Sequence, residues 1–186
     1  MIEVEVKIPL FRRSQTEQAL MGLGFIPGDL IRESDCYYNS DFHDFMAGDE
    51  ALRIRVCENL TGLSSRARLT YKGPKMDKVS MTRKELETEV SSPDTCRLIL
   101  EALGYRPFFP VNKLRQYYHR DNVTACVDQV EGLGSFLELE ILVEEESSRE
   151  DALKKIETIL DDLDLSLSES TTLSYLCMLL RKRDLA

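Results

Sequence analysis

The sequence predicts an α+β fold, a closed antiparallel β-barrel of about eight strands with a polar interior and helices packed outside it. Three observations carry that prediction. Short helical stretches separate blocks whose hydrophobicity alternates with period two. In seven of those blocks the polar positions carry full charges. A pattern of helix, Leu-Gly-aromatic, loop and strand also occurs twice, 80 positions apart.

Each helix has its own signal. Ser14-Gln-Thr-Glu17 has the form of a capping box and predicts a helix through about Gly22, with Gly24 as its stop. Ser92-Pro-Asp94 predicts a second, with Ser92 as cap, Pro93 in the first turn and Gly104 as terminator. A third is expected from near Ser148 through the amphipathic stretch Ala152 to Leu163, and a fourth from about Thr172 to Lys182. Residues 58–65 read as a hairpin loop. The repeat matches Leu23-Gly24-Phe25 with Leu103-Gly104-Tyr105 and Tyr37-Tyr38 with Tyr117-Tyr118, which implies two related halves with one helix apiece. No linker rich in Pro, Gly or Ser interrupts the chain, so residues 1–186 read as a single domain.

Composition narrows the function. A chain of 186 residues with 42% hydrophobic content can bury a core without disulfide staples. Its formal charge of −9 argues against nonspecific binding to nucleic acid or an anionic membrane, both of which need a positive exterior field. The run Tyr175 to Leu180 is too short to cross a bilayer, and no basic leader precedes an apolar run at the N-terminus, so a soluble cytoplasmic protein is expected. Five scattered cysteines without a C-x-x-C pair suit reduced structural thiols.

The strands hold the chemistry. In Ile2 to Lys7 the apolar residues point one way and Glu3, Glu5 and Lys7 the other. Arg53 and Arg55 share a face, as do Arg68, Thr70 and Lys72; Arg83, Glu85, Glu87 and Glu89; Lys113 and Arg115; Cys126 and Asp128; and Glu138 and Glu140. Solvated strand faces normally mix in Thr, Ser and Gln. Several of these instead pair like charges, acidic in Glu3/Glu5 and Glu138/Glu140, basic in Arg53/Arg55 and Lys113/Arg115. Like charges two apart on one face repel, so counter-ions are expected: divalent cations for the carboxylates and a polyanion for the basic pairs. Mg²⁺ or Mn²⁺ takes carboxylate and phosphate oxygens, while Arg forks and Lys hold phosphate.

These blocks resemble the CYTH family, the triphosphate tunnel metalloenzymes. Glu3-Val-Glu-Val-Lys7 matches the family's E-x-E-x-K signature. In order follow Asp35-Cys-Tyr-Tyr-Asn39, Ala51-Leu-Arg-Ile-Arg55, Leu69 to Pro74, Arg83 to Glu87, Lys113-Leu-Arg115, Asp128 to Gly134, Phe136 to Glu140 and Ser174-Tyr175. The resemblance implies metal ligation by Glu3, Glu5, Asp128, Glu138 and Glu140, with Mg²⁺ or Mn²⁺ as cofactor. It implies triphosphate binding by Arg53, Arg55, Lys72, Arg83, Lys113 and Arg115, and catalytic parts for Lys7, Glu5, Glu138 and Arg115. Lys7 and Glu85 are expected in the lumen.

The implied activity is that of a class IV adenylate cyclase, converting ATP to cyclic AMP and pyrophosphate. The alternatives are a triphosphatase acting on inorganic, thiamine or nucleoside triphosphate, and a noncatalytic polyphosphate-binding module. A small-molecule triphosphate is the expected partner, and a homodimer stays open. Tyr37, Tyr38, Tyr117 and Tyr118 read as packing residues, and His43 and His119 as structural or surface positions.

Overall fold

The computed structural model describes residues 2–75 and 83–184. Eight strands and four α-helices follow in the order β1 (Ile2–Leu10), α1 (Arg13–Gly22), β2 (Ile26–Asn39), β3 (Ala51–Asn59), β4 (Ser64–Lys75), β5 (Arg83–Glu89), α2 (Pro93–Ala102), β6 (Arg106–Arg120), β7 (Val123–Val130), β8 (Gly134–Val143), α3 (Arg149–Asp162) and α4 (Tyr175–Asp184). The strands form one eight-stranded sheet in the order β1-β8-β7-β6-β2-β3-β4-β5. The expected α+β class with an eight-stranded antiparallel sheet and four helices is thus observed. Among the described residues no helix is long and apolar enough to cross a membrane, and all five cysteines are free.

Backbone contacts divide the chain into two compact units, residues 1–30 with 114–186, and residues 31–113. In the first unit β8 pairs antiparallel with β1 on one side and β7 on the other. Alternation sends Val4, Val6, Ile8 and Leu10 to the same face as Leu137, Leu139 and Ile141, where Leu20 of α1 and Ile156, Ile159 and Leu160 of α3 cover them. Burying each such aliphatic side chain is worth about 2 kcal/mol. The opposite face is polar, with cross-strand rows Glu5–Glu140–Thr124 and Lys7–Glu138–Cys126.

In the second unit β3 pairs antiparallel with β2 and β4, and β4 with β5. Tyr38, Leu52, Ile54 and Leu100 of α2 form its core with Phe45. Its polar face carries Asp35 opposite Arg55, Tyr37 opposite Arg53, Arg53 opposite Thr70, and Lys72 opposite Glu85.

The repeat is borne out at the level of single hydrogen bonds. Leu23 N–H donates to Ala19 O at 2.9 Å and Phe25 N–H to Leu20 O at 3.0 Å. Eighty positions on, Leu103 N–H donates to Ile99 O at 3.0 Å and Tyr105 N–H to Leu100 O at 2.9 Å. The residue between must turn into the left-handed region, at φ +86° for Gly24 and +91° for Gly104, which is why glycine recurs there.

Ser92 caps α2 as expected, accepting from Thr95 N–H at 3.2 Å. The capping box at Ser14 does not form, because α1 begins at Arg13 and Ser14 already lies inside the first turn. Thr16 Oγ1 donates back to Arg12 O instead. Ser148 supplies no side-chain cap to α3, since a 3₁₀ turn over Glu146–Ser148 leads straight into the helix. The fourth helix starts three residues later than expected, where Ser174 Oγ accepts from Cys177 N–H. A true capping box occurs at Ser166 and Glu169, on a single 3₁₀ turn.

Candidate functional site

Strand alternation gathers seven charged side chains in the first unit. Arg115 from β6 donates from Nε to Asp128 Oδ1 and from Nη2 to Asp128 Oδ2, both at 2.7 Å, and also meets Glu138 Oε2. Asp128 is 0% exposed and accepts a third bond from Tyr175 OH at 2.9 Å. Lys7 Nζ lies 3.1 Å from Glu138 Oε1 and 3.3 Å from Glu5 Oε1, over the Tyr175 ring. Burial works to depress the Lys7 ammonium, but Glu138 and Glu5 outweigh it and hold its pKa above the ordinary value. Burial works likewise against charge on Arg115, and Glu138 and Asp128 again prevail, so it stays ionised.

Three carboxylates of this face also converge on one another. Glu3, Glu5 and Glu140 each offer an oxygen, and the three oxygens lie within 4.8 Å of one another. Burial pushes the Glu140 carboxyl up to about 7; Arg115 opposes the shift, and Glu138, Glu3 and Glu5 reinforce it. A carboxyl raised by burial and then by three acidic neighbours marks a site where added positive charge would be stabilising. Hard oxygen donors this close fit a divalent cation of the Mg²⁺ or Mn²⁺ kind.

The second unit holds the complementary arrangement. Arg55 donates to Asp35 Oδ1 and Oδ2 at 2.6 and 2.7 Å, and its Nη1 lies 2.8 Å from Glu33 Oε2. Arg53 Nη1 reaches Asp35 at 3.2 Å and Tyr37 OH at 3.4 Å, and Lys113 Nζ lies 3.3 Å from Glu33. Burial opposes ionisation of Asp35, yet Arg55, Arg53 and Lys113 hold its pKa below the usual carboxylate value. Among the described residues Arg53 Nε is a buried donor without a hydrogen-bond acceptor. Such a group costs about 1–3 kcal/mol, which a phosphate oxygen would recover. Farther along the face, Lys72 pairs with Glu85 at 2.6 Å and Arg68 with Glu87 at 3.1 Å.

The expected ligands therefore fall into groups. Glu3, Glu5 and Glu140 come together, while Glu138 and Asp128, also expected to bind metal, are engaged by Lys7 and Arg115. Arg53, Arg55 and Lys113 share one polar cluster, and Lys72 sits in its own half-exposed pair. Arg83 opens β5, and its side chain lies outside the described residues. Glu33, Asp35 and Tyr175 were not among the expected site residues. The alternation Glu33-x-Asp35-x-Tyr37 was the signal for the first two, since it places two acids opposite the arginines of the next strand. Tyr38 and Tyr118 are core residues as expected, but Tyr37 touches Arg53 and Tyr117 lies 5.7 Å under Arg115, so both belong to the polar faces. His43 pairs with Glu50 at 2.5 Å on the surface.

Known proteins are similar along nearly the whole chain. A Methanocaldococcus jannaschii protein named "Putative adenylate cyclase MJ0240" is 36% identical over 95% of this chain and 97% of its own length. The adenylate cyclase CyaB of Aeromonas hydrophila is 26% identical, over 93% and 86% respectively. The solved structure of the PH1819 protein of Pyrococcus horikoshii superimposes with a TM-score of 0.85 at 36% identity, covering 98% of this chain and all of the other. The family model described as the CYTH domain matches residues 1–175, a span that takes in every acidic and basic residue of both clusters, and the chain belongs to the CYTH family.

Proposed function

We propose that residues 1–186 form a single CYTH domain in which the eight strands close into a barrel around a metal-bound triphosphate, and that its reaction is the conversion of ATP to cyclic AMP and pyrophosphate. The observation that carries this reading is the opposite charge surplus of the two clusters. Among the described residues the first cluster sets five carboxylates, Glu3, Glu5, Asp128, Glu138 and Glu140, beside two cations, Lys7 and Arg115, whereas the second sets three cations, Arg53, Arg55 and Lys113, beside two carboxylates, Glu33 and Asp35. Metal ions answer the first surplus and phosphate oxygens the second.

Glu3, Glu5 and Glu140 would hold Mg²⁺ or Mn²⁺, which when bound supplies Lewis-acid neutralisation of the phosphate oxygens. Lys7 and Arg115 fix Glu5, Glu138 and Asp128 so that the carboxylates do not spring apart when the site is empty. Arg53, Arg55, Lys72, Arg83 and Lys113 orient the phosphates and stabilise charge on the departing pyrophosphate. The ribose 3′-hydroxyl gives its proton to solvent water as its oxygen bonds to the α-phosphorus and the bond to pyrophosphate breaks. The adenylate cyclase names of the two relatives favour cyclisation over hydrolysis. The free thiols suit the cytoplasm, where we place the activity.

The test is incubation with ATP, inorganic triphosphate or thiamine triphosphate in Mg²⁺ and then Mn²⁺, with products resolved. Cyclic AMP with pyrophosphate is expected; orthophosphate would make the protein a triphosphatase, and binding without turnover a polyphosphate-binding module. Arg53→Ala should weaken triphosphate binding on the order of tenfold, as expected for one charge-assisted contact. Unchanged affinity would remove Arg53 from the cradle.

A further inference from the structure

Beside Glu140 on the polar face of the first unit lies a ledge that borders the carboxylate centre. Tyr117 and His119 stand two apart on β6 with ring planes 8° from parallel and centroids 6.1 Å apart. Thr124, which faces Glu140 in the β7–β8 register, places Oγ1 3.4 Å from His119 Nδ1. An open pocket alongside is lined by Glu3, Asn122, Thr124, Glu140 and Leu142. Lys155 Nζ donates to Asn122 Oδ1 at 2.7 Å.

Gly28 marks the ledge as built. A Cβ there would stand 3.0 Å from His119 Nε2 and 3.1 Å from Cδ2. The φ of Gly28 is not positive, so no turn demands glycine at this position. Its bareness makes room for the imidazole ring.

We propose that this ledge is the subsite for the heteroaromatic ring of an organic triphosphate. The proposal rests on the reading that Glu3, Glu5 and Glu140 hold the metal-bound phosphates, and it deepens that reading by assigning the other end of the substrate. Neighbouring strands are about 4.8 Å apart, so His119 on β6 lies roughly 10 Å across the sheet from the β8 strand of Glu140, a span that a sugar or methylene linker bridges. Glu3 and Glu140 in the pocket wall belong to the proposed metal centre. Aromatic rings, a hydroxyl, an amide and the exposed Leu142 offer stacking, hydrogen bonds and an apolar wall to a planar polar ring.

Calorimetric titration with Mn²⁺ present, using ATP, thiamine triphosphate and inorganic triphosphate in turn, tests this. His119→Ala should weaken ATP or thiamine triphosphate on the order of tenfold relative to inorganic triphosphate, since one lost stacking partner has about that effect. Whichever compound loses affinity identifies the ring. Gly28→Ala, which keeps the imidazole but displaces it, should shift the same ratio. Unchanged ratios in both variants would overturn the ledge and leave the triphosphate reading standing, as would an equal loss for all three ligands. A wild-type protein that binds none of them would overturn both.

Discussion

In the second unit Asp35 on β2 grips Arg55 of β3 through both carboxylate oxygens. Eighty positions later, Arg115 on β6 grips Asp128 of β7 by the same two-pronged geometry with acid and base exchanged. The inversion extends along the strand. Glu33 is matched by Lys113 and Asp35 by Arg115, while Tyr37 and Tyr117 each touch an arginine. One scaffold, repeated, thus serves two electrostatic purposes, since period-two alternation fixes which face a residue occupies but not the sign of its charge.

The two pairs differ in burial, and that difference can be broken experimentally. Asp128 is wholly buried and accepts from both Arg115 and Tyr175, so Asp128→Ala should cost about 3–5 kcal/mol in urea unfolding by leaving the Arg115 Nε and the Tyr175 hydroxyl without that acceptor. Asp35→Ala should cost less, about 1–3 kcal/mol, because Arg55 is 19% exposed and water can reach its freed donors. Equal losses would mean that the clusters are energetically alike after all.

Their pH responses should run in opposite directions. Glu140 has a raised pKa in the folded protein, so its contribution to stability is fully present below its ordinary value near 4.5 and is lost as pH rises through about 7. That loss is up to about 3 kcal/mol in metal-free protein. Asp35 has a lowered pKa, so its contribution is present above the ordinary value of 3.8 and is lost as pH falls through its depressed folded value. Melting curves between pH 4.5 and 8 should therefore show Glu140→Gln flattening the decline toward neutrality. Parallel wild-type and variant profiles would contradict the shift.

The smallest effect sharpens the repeat itself. Gly24→Ala and Gly104→Ala should each cost about 1 kcal/mol for the left-handed backbone. The second should cost more, because its Cβ would meet Phe42 Cε1 at 3.2 Å, whereas the first finds only Arg120 Cδ at 3.9 Å. Differential melting temperatures would show whether the two turns bear equal strain.

Alternation and the Leu-Gly-aromatic repeat made the strands and the segregated faces legible from sequence, while the grouping of Glu3, Glu5 and Glu140 came from the resemblance to the CYTH family. Two kinds of feature were not legible. The internal counter-ions Glu33 and Asp35 were hidden because charge pairing depends on which strands become neighbours, and the like-charge argument had assigned neutralisation wholly to ligands. The helix start slipped at Ser14 because a capping pattern states that a cap is available, not which of several nearby backbone N–H groups will use it.

Calorimetric titration of Mn²⁺ into wild-type protein and into Glu5→Ala, each with and without inorganic triphosphate, tests the central claim most directly. The wild type should bind Mn²⁺ and bind it more tightly with triphosphate present, while Glu5→Ala should lose at least about a hundredfold in affinity with its fold intact by circular dichroism. Equal Mn²⁺ affinity in the two proteins, or none in the wild type, would contradict a divalent cation centre on the first unit's carboxylates.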